Sequence, residues 1–443
     1  MELRDIIVTP IVIILIYAIA FAVRSSVTDK VNRVYFIPAL TVKVIGALAV
    51  GFVYQFYYDG GDTFNYHTQG SRYIWEAFMD SPATGLELLL TDGSDQTVGY
   101  KYSSRILFFS DPSSYAVVRI AAIIDLFTFS TYSATALVFS LFCFIGMWMF
   151  FLTFYEQYPY LHRGLAIASF FIPSVFFWGS GLLKDTLTLG CLGFITYGVY
   201  RIFIMKNRSL IYWALLLIPL YGIYTIKLYI LLTFLPSSII WVFLANLQSI
   251  RSVVLKLMLF PFVISAAIAI GYFAMLKAGE DNNKYALNSL AKTAQVTAYD
   301  IRYYTGRYAG SGYSLGELDG TFGSMIRLAP KAINVSLFRP YLWEARNPLM
   351  LLSALESLFL LFFCFYILYK KNVQILNAIS QPNILFAILF SISFAFAVGV
   401  STFNFGTLVR YKIPLLPFFL VALILILDYS NNDKNRDKLE FTE

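Results

Sequence analysis

The chain has 443 residues, of which 58% are hydrophobic and only 13% charged, with a net charge of +7 and a mean hydropathy of +0.68. Soluble domains carry about a quarter charged residues, so a water-soluble globular fold is excluded. The basic residues lie scattered between apolar runs, which reads as loop charge biased to one side of a membrane and not as a nucleic-acid surface.

The expected architecture is an all-α polytopic membrane protein. A span needs roughly 17–25 mainly apolar residues, and on that criterion about eleven helices succeed one another. They fall at 7–23, 35–57, 131–153, 164–180, 186–204, 209–226, 228–247, 253–276, 348–369, 383–401 and 410–428. No small-residue cleavage site follows the first run, which is expected to be a retained span. Stretch 116–129 is apolar but short and carries Arg119 and Asp125, so an interfacial or re-entrant helix is expected there.

The cations of the short loops, Lys30, Arg33, Arg163, Lys206, Arg208, Arg251, Lys370 and Lys371, share one side of this count with Lys434, Arg436 and Lys438. That side is assigned to the cytoplasm. Two long loops, at about 58–130 and 277–347, then both face away from it. Each is too long for a simple connection, and too rich in Tyr, Trp, Arg and Gly with apolar interruptions to be disordered. A single transmembrane domain over 1–430, with interfacial helices in its outer loops, and a cytoplasmic tail at 431–443 complete the expected organisation. Cys143, Cys191 and Cys364 lie in apolar runs without ligand spacing and argue for neither disulfide nor metal.

Four segments could carry chemistry. The second span closes on Tyr57-Tyr58-Asp59-Gly60-Gly61-Asp62-Thr63-Phe64-Asn65-Tyr66-His67. Its two glycines permit a tight turn that could aim Asp59 and Asp62 into one cavity, as a general base or as ligands for a divalent cation such as Mg²⁺ or Mn²⁺. The plain alternative is a helix-capping aspartate beside a polar turn. An amphipathic interfacial helix is expected to follow through Arg72, Trp75 and Glu76. The second segment, Pro173-Ser174 and Trp178-Gly179-Ser180-Gly181-Leu182-Leu183-Lys184-Asp185, reads as a short outward hairpin whose Lys184–Asp185 pair sits at membrane depth. A snorkelling lysine is its bland reading.

The third segment is Arg339-Pro340-Tyr341-Leu342-Trp343-Glu344-Ala345-Arg346, before a span containing Glu356; the fourth is Thr407, Arg410, Tyr411 and Lys412. Cations at the outer headgroups run against the positive-inside trend and suit an anionic, phosphate-bearing ligand. No GxxxxGK[ST] loop and no GxSxG elbow is present, and His67 and His162 are expected on opposite faces.

The Asp59-Gly60-Gly61-Asp62 cluster before an interfacial helix resembles the first outer loop of GT-C-fold glycosyltransferases, polytopic enzymes that use polyprenyl-phosphate-linked sugars. The hairpin ending in Lys184-Asp185 is similar to segments of bacterial members. The resemblance implies that Asp59 or Asp62 is a catalytic base or substrate-orienting acid. His67, Lys184, Asp185, Arg339, Glu344, Arg346, Arg410 and Lys412 are the candidate substrate-binding residues. The late outer loop with Arg302, Arg307, Arg327 and Arg339 resembles that of bacterial O-antigen and exopolysaccharide polymerases. Both resemblances imply a lipid-linked sugar donor and a glycan or lipid-linked acceptor on the non-cytoplasmic face of a bacterial inner membrane. Tyr58, Tyr66, Trp75 and Trp343 could stack on sugar faces. A transporter or flippase of lipid-linked glycans is the further alternative, and would need ionic residues near the membrane midplane and broken helices.

Overall fold

The computed structural model describes residues 3–95, 97–247, 312–316, 319 and 321–429, with isolated positions between 248 and 311. Most of the expected span at 253–276 lies outside the described residues, as do Arg251, Arg302, Arg307 and the tail.

Among the described residues, seven helices are long and apolar enough to cross a membrane, or up to eight if one bent pair counts as a span. The protein is a polytopic helical membrane protein. The difference between seven and eleven has four sources. The expected span 164–180 is broken before Pro173 into His162–Phe170 and Pro173–Trp178, because a proline supplies no amide to continue a helix. The spans expected at 209–226 and 228–247 form one helix, Leu210–Asn246, interrupted at Lys227 (φ −147°, ψ 71°). The third is the stretch 253–276. The last expected span is bent by 65° between Phe405–Tyr411 and Leu415–Asp428.

The chain divides into two compact units, a boundary that composition did not mark. The first comprises Met1–Gly198 and Asn207–Leu228, the second Val199–Lys206 and Tyr229–Glu443.

In the first unit, α1 (Leu3–Val27) and α2 (Arg33–Phe56) lead to five short elements: α3 (Asp62–Tyr66), α4 (Arg72–Asp80), α5 (Pro82–Leu90), α6 (Tyr100–Ser103) and α7 (Pro112–Thr128). Then come α8 (Tyr132–Tyr155), α9 (His162–Phe170), α10 (Pro173–Trp178), α11 (Lys184–Val199) and the start of α12 (Leu210–Asn246). Helices α1 and α2 pack on α8, and α10 packs on α2. Between α8 and α11 the backbones meet. A Cβ built on Gly146, Gly190 or Gly193 would run into the facing helix, the small-residue contact by which membrane helices approach closely.

The expected loop at 58–130 is a folded helical segment whose core continues into α8 and α11. Ile74, Ala77, Leu88, Tyr102, Phe109, Tyr115 and Val118 are buried together, and the Tyr115 hydroxyl donates to the Leu88 carbonyl at 2.5 Å. Helix α4 matches the amphipathic helix read through Arg72 and Trp75. Helix α7, expected as an interfacial or re-entrant helix, packs against α3, α4 and α8, with Asp125 fully buried. The burial is tolerated because Ser71 Oγ and Thr135 Oγ1 each donate to that carboxylate at 2.6 Å.

The unit has two polar ends. At one, Asp29 in the α1–α2 loop accepts from Tyr155 Oη at 2.9 Å, and Tyr35 Oη lies 2.7 Å from His162 Nδ1. At the other, Asp5 meets the start of α8 and the chain leaves α2 through Asp59. His67 belongs to the second end and His162 to the first.

The second unit contains the rest of α12 and α13 (Phe322–Arg327), α14 (Ala329–Phe338), α15 (Pro348–Lys371), α16 (Gln374–Ile379), α17 (Pro382–Thr402), α18 (Phe405–Tyr411) and α19 (Leu415–Asp428). Its core is aromatic. Trp241 stacks on Phe386 at 4.3 Å and donates through Nε1 to Asn383 Oδ1 at 2.7 Å, which satisfies the one polar atom the indole carries inward.

Candidate functional site

Helix α2 ends where its backbone turns left-handed. Asp59 has φ 51°, Gly60 φ 122° and Gly61 φ 118°. Space does not require the first glycine, since nothing lies within 4 Å of a Cβ at Gly60; its φ does. Asp59 adopts the same region with a side chain, a conformation that aspartate tolerates better than most residues. The Gly61 carbonyl then accepts the Phe64 and Asn65 amides at 3.0 Å, starting α3.

This turn borders a cavity of about 250 Å³ within the first unit, lined by Asp5, Gln55, Asp59, Thr68, Gln69, Arg72, Tyr132 and Ser133 among others. Five stretches of chain contribute: the start of α1, the end of α2, the turn, the segment from α3 to α4, and the start of α8. One guanidinium and two carboxylates therefore share a small polar space.

Of the expected acid pair, Asp59 lines the cavity and is exposed, whereas Asp62 does not line it and stands in the first turn of α3. The expectation that both carboxylates enter one cavity is corrected accordingly. Among the described residues no group of three or more His, Cys, Asp or Glu side chains comes together. Asp59 and Asp62 do not share the cavity, and no step is derived through a metal ion.

His67 does not reach the cavity. It is fully buried, with Nε2 3.5 Å from Asp125 Oδ1 and its ring edge-on to Tyr132 at 5.6 Å. It thus stands behind the cavity wall: Tyr132 lines the cavity, stacks on Phe64 at 4.5 Å and shares a 2.7 Å hydrogen bond with Thr63 Oγ1. Tyr66, read as a sugar platform, is likewise buried, against Phe108. Tyr58 is 44% exposed. Trp75 lies under the Arg4 guanidinium at 5.3 Å.

Lys184 and Asp185, which the hairpin suggested as a pair, each reach a partner elsewhere in the chain. Lys184 Nζ donates to Ser113 Oγ at 2.7 Å and lies 3.6 Å from Asp111 Oδ2, while Asp185 binds Lys227 at the break in α12. Neither lines the cavity. Successive residues at a helix start project about 100° apart, so neighbours in sequence take different partners. Burial works against the charge of Asp111, but Ser114, Lys184 and Ser113 hold its carboxyl below the usual range.

In the second unit the structure gathers Arg339, Glu344 and Lys412. The Arg339 guanidinium grips the Glu344 carboxylate through both Nε, at 3.0 Å, and Nη2; Glu344 also accepts the Tyr341 amide at 2.8 Å. Lys412, fully buried, donates to Ser357 Oγ at 3.1 Å and to the Arg339 carbonyl at 3.3 Å. The guanidinium also stands over Phe405, 5.1 Å from its ring centre. Arg346 is exposed and Arg410 half-buried. Trp343 is 81% exposed and stacks on Tyr341 at 4.9 Å.

Two buried cations escaped the reading of the sequence. Lys43 lies inside α2, fully buried, and donates to the Gly179 carbonyl at 2.7 Å, at the C-terminal end of α10. A cation suits the negative end of a helix. Lys227 is the second. Each was a lone charge in an apolar run, which is itself the signal for an intramembrane ionic role. Asp5 was missed because it opens a hydrophobic stretch.

No protein-family model matches the chain, and neither the curated proteins nor the solved structures contain a match to it.

Proposed function

We propose that the protein is a membrane-embedded glycosyltransferase of GT-C type. It transfers a sugar from a polyprenyl-phosphate or polyprenyl-pyrophosphate donor to an acceptor hydroxyl on the non-cytoplasmic face of a bacterial inner membrane. The observation that carries this reading is that the Asp59 carboxylate and the Arg72 guanidinium line one cavity at the polar end of α2.

The chemistry follows from those two groups. Asp59 accepts the proton of the acceptor hydroxyl as its oxygen bonds to the anomeric carbon. The bond from that carbon to the phosphate oxygen breaks, and Arg72 offsets the charge left on the leaving group. Gln55, Thr68 and Gln69 offer hydrogen bonds to sugar hydroxyls. Under this reading α12 is two spans meeting at Lys227, since a straight 37-residue helix would run about 55 Å against a hydrocarbon core of about 30 Å. The charge bias of the basic short loops supports an outward-facing Asp59 end.

One finding favours a second reading, a transporter of lipid-linked glycans. Lys43 and the Asp185–Lys227 pair are buried ionic groups within or beside spans, and α12 is broken at one of them. The two readings separate in cells carrying Asp59→Asn or Arg72→Gln at matched membrane levels. Transfer predicts loss or shortening of a surface glycan, with lipid-linked precursor accumulating on the outer face. Transport predicts precursor held on the inner face. Unchanged glycans in both variants would sink the transferase.

A further inference from the structure

Thr68, Gln69 and Arg72 reach the cavity from a wide π-helical turn, His67–Ser71, that runs into α4. The turn departs from regular helix at Gln69 (φ −103°, ψ 17°), and single turns of this kind occur frequently at functional sites. It has two faces. Thr68 and Arg72, four residues apart, share the face that borders the cavity. His67 and Ser71, also four apart, share the other and are fully buried. A Cβ at Gly70 would stand 2.8 Å from the Asn65 carbonyl oxygen and 3.0 Å from Val118 Cγ2, so the turn lies close against α3 and α7.

The buried face meets Asp125 of α7. Its Oδ2 accepts from Ser71 Oγ at 2.6 Å. Its Oδ1 accepts from Thr135 Oγ1 at 2.6 Å and stands 3.5 Å from His67 Nε2. Thr135 in turn shares a 2.7 Å hydrogen bond with Thr128 Oγ1. One fully buried carboxylate thus ties the cavity-lining turn to α7 and to α8 together. Apolar packing would hold these elements without the cost of burying a carboxylate. It would not fix their rotation, because packing sets distance whereas hydrogen bonds are directional. Contacts at positions 67 and 71 set the rotation of the turn about its own axis, and with it the direction in which Arg72 leaves the backbone.

We infer that Asp125 is a positioning residue for Arg72: through Ser71 and His67 it holds the turn so that the guanidinium is presented to the phosphate of the donor. The inference rests on the sugar-transfer reading, in which Arg72 offsets the charge on the leaving group. Asp125 does not line the cavity and acts on the reaction only through the turn. His67, behind the cavity wall, belongs to the same device.

The test is a rate cycle in membranes holding equal amounts of protein, with radiolabelled polyprenyl-linked sugars extracted from the host as donor. It compares wild type, Ser71→Ala, Asp125→Asn, Arg72→Gln and the double variant Ser71→Ala/Arg72→Gln. A misdirected guanidinium weakens the transition state and leaves acceptor binding alone. Ser71→Ala and Asp125→Asn should therefore each lower kcat at least about tenfold, with the acceptor KM within about threefold of wild type. With Arg72 already replaced there is nothing left to aim, so adding Ser71→Ala should lower kcat further by less than about twofold. Loss of folded protein would instead multiply the two effects, and that result overturns the positioning role. Should Asp125→Asn fail to accumulate in the membrane, the Ser71→Ala cycle decides alone. Wild-type kcat in Ser71→Ala, with transfer strongly reduced in Arg72→Gln, overturns the role of Asp125 and leaves the transferase standing. Transfer indifferent to Arg72→Gln overturns the two together.

Discussion

Asp185 binds Lys227, 42 residues along the chain. Both side chains are buried, the pair lies where α12 loses its helical conformation, and Lys184 turns to the Ser113 and Asp111 start of α7. Removing one partner of a buried pair strands the other's charge, whereas replacing both with apolar residues removes the problem along with the pair. Asp185→Asn or Lys227→Met alone is expected to destabilise the protein by about 3–5 kcal/mol. The double variant Asp185→Leu/Lys227→Met should recover most of that loss. Thermal unfolding of the four proteins in one detergent checks it; a double variant no better than the singles would show that the charge is needed for itself.

The wall behind the cavity is tightly packed. A Cβ on Gly51 would stand 2.8 Å from Tyr132 Cε1, and that ring is held by Thr63 and Phe64. Gly51→Ala is therefore expected to cost about 1–3 kcal/mol, the usual range for overpacking, and to reduce transfer by displacing Tyr132 into the cavity. In a Tyr132→Leu background the same alanine should cost markedly less. A double-mutant cycle on melting temperature reads the coupling, and strict additivity would mean the contact is not where the cost arises.

The Arg339–Glu344 latch is sensitive to acid. Burial opposes the charge on Glu344, yet the Arg339 guanidinium and the Tyr341 amide hold its carboxyl below the ordinary 4.5. A depressed carboxyl contributes stability that is complete above its unfolded value and is lost as pH falls through the folded one. The latch should therefore contribute its full stability from neutrality down to about pH 4.5 and lose it progressively at lower pH, as the carboxyl passes through its depressed folded value. Hydrogen exchange over 339–347 is expected to rise below that point in the wild type, and to be fast at both pH values in Arg339→Gln. Equal protection of the wild-type segment at pH 6 and pH 3 would contradict it.

How far the sequence led can be traced residue by residue. The helical membrane architecture was legible because apolar runs of span length admit few other folds. The boundary read between 226 and 228 falls on Lys227, where α12 breaks, and the turn read from Gly60 and Gly61 is left-handed at both. The break before Pro173 had its signal in the proline and was passed over, because hydropathy alone cannot see a missing amide. Asp125 was read on an interfacial or re-entrant helix and His67 as a substrate-binding residue. Their burial depends on Ser71, Thr135 and Tyr132 arriving from separate elements, which local pattern does not encode. The same reason hid the partners of Lys184 and Asp185, and the arrival of Asp5 from α1 beside Asp59.

The central claim is that Asp59, the acid that lines the cavity, and not Asp62, at the start of α3, takes the proton. Its most direct test is sugar transfer from labelled polyprenyl-linked donors in membranes holding equal amounts of wild type, Asp59→Asn and Asp62→Asn. Loss of a general base removes about 10²–10⁴ in rate, so Asp59→Asn should fall by at least a hundredfold while Asp62→Asn stays within about tenfold of wild type. Transfer that survives in Asp59→Asn, or that collapses only in Asp62→Asn, would contradict the assignment of this cavity as the reaction site.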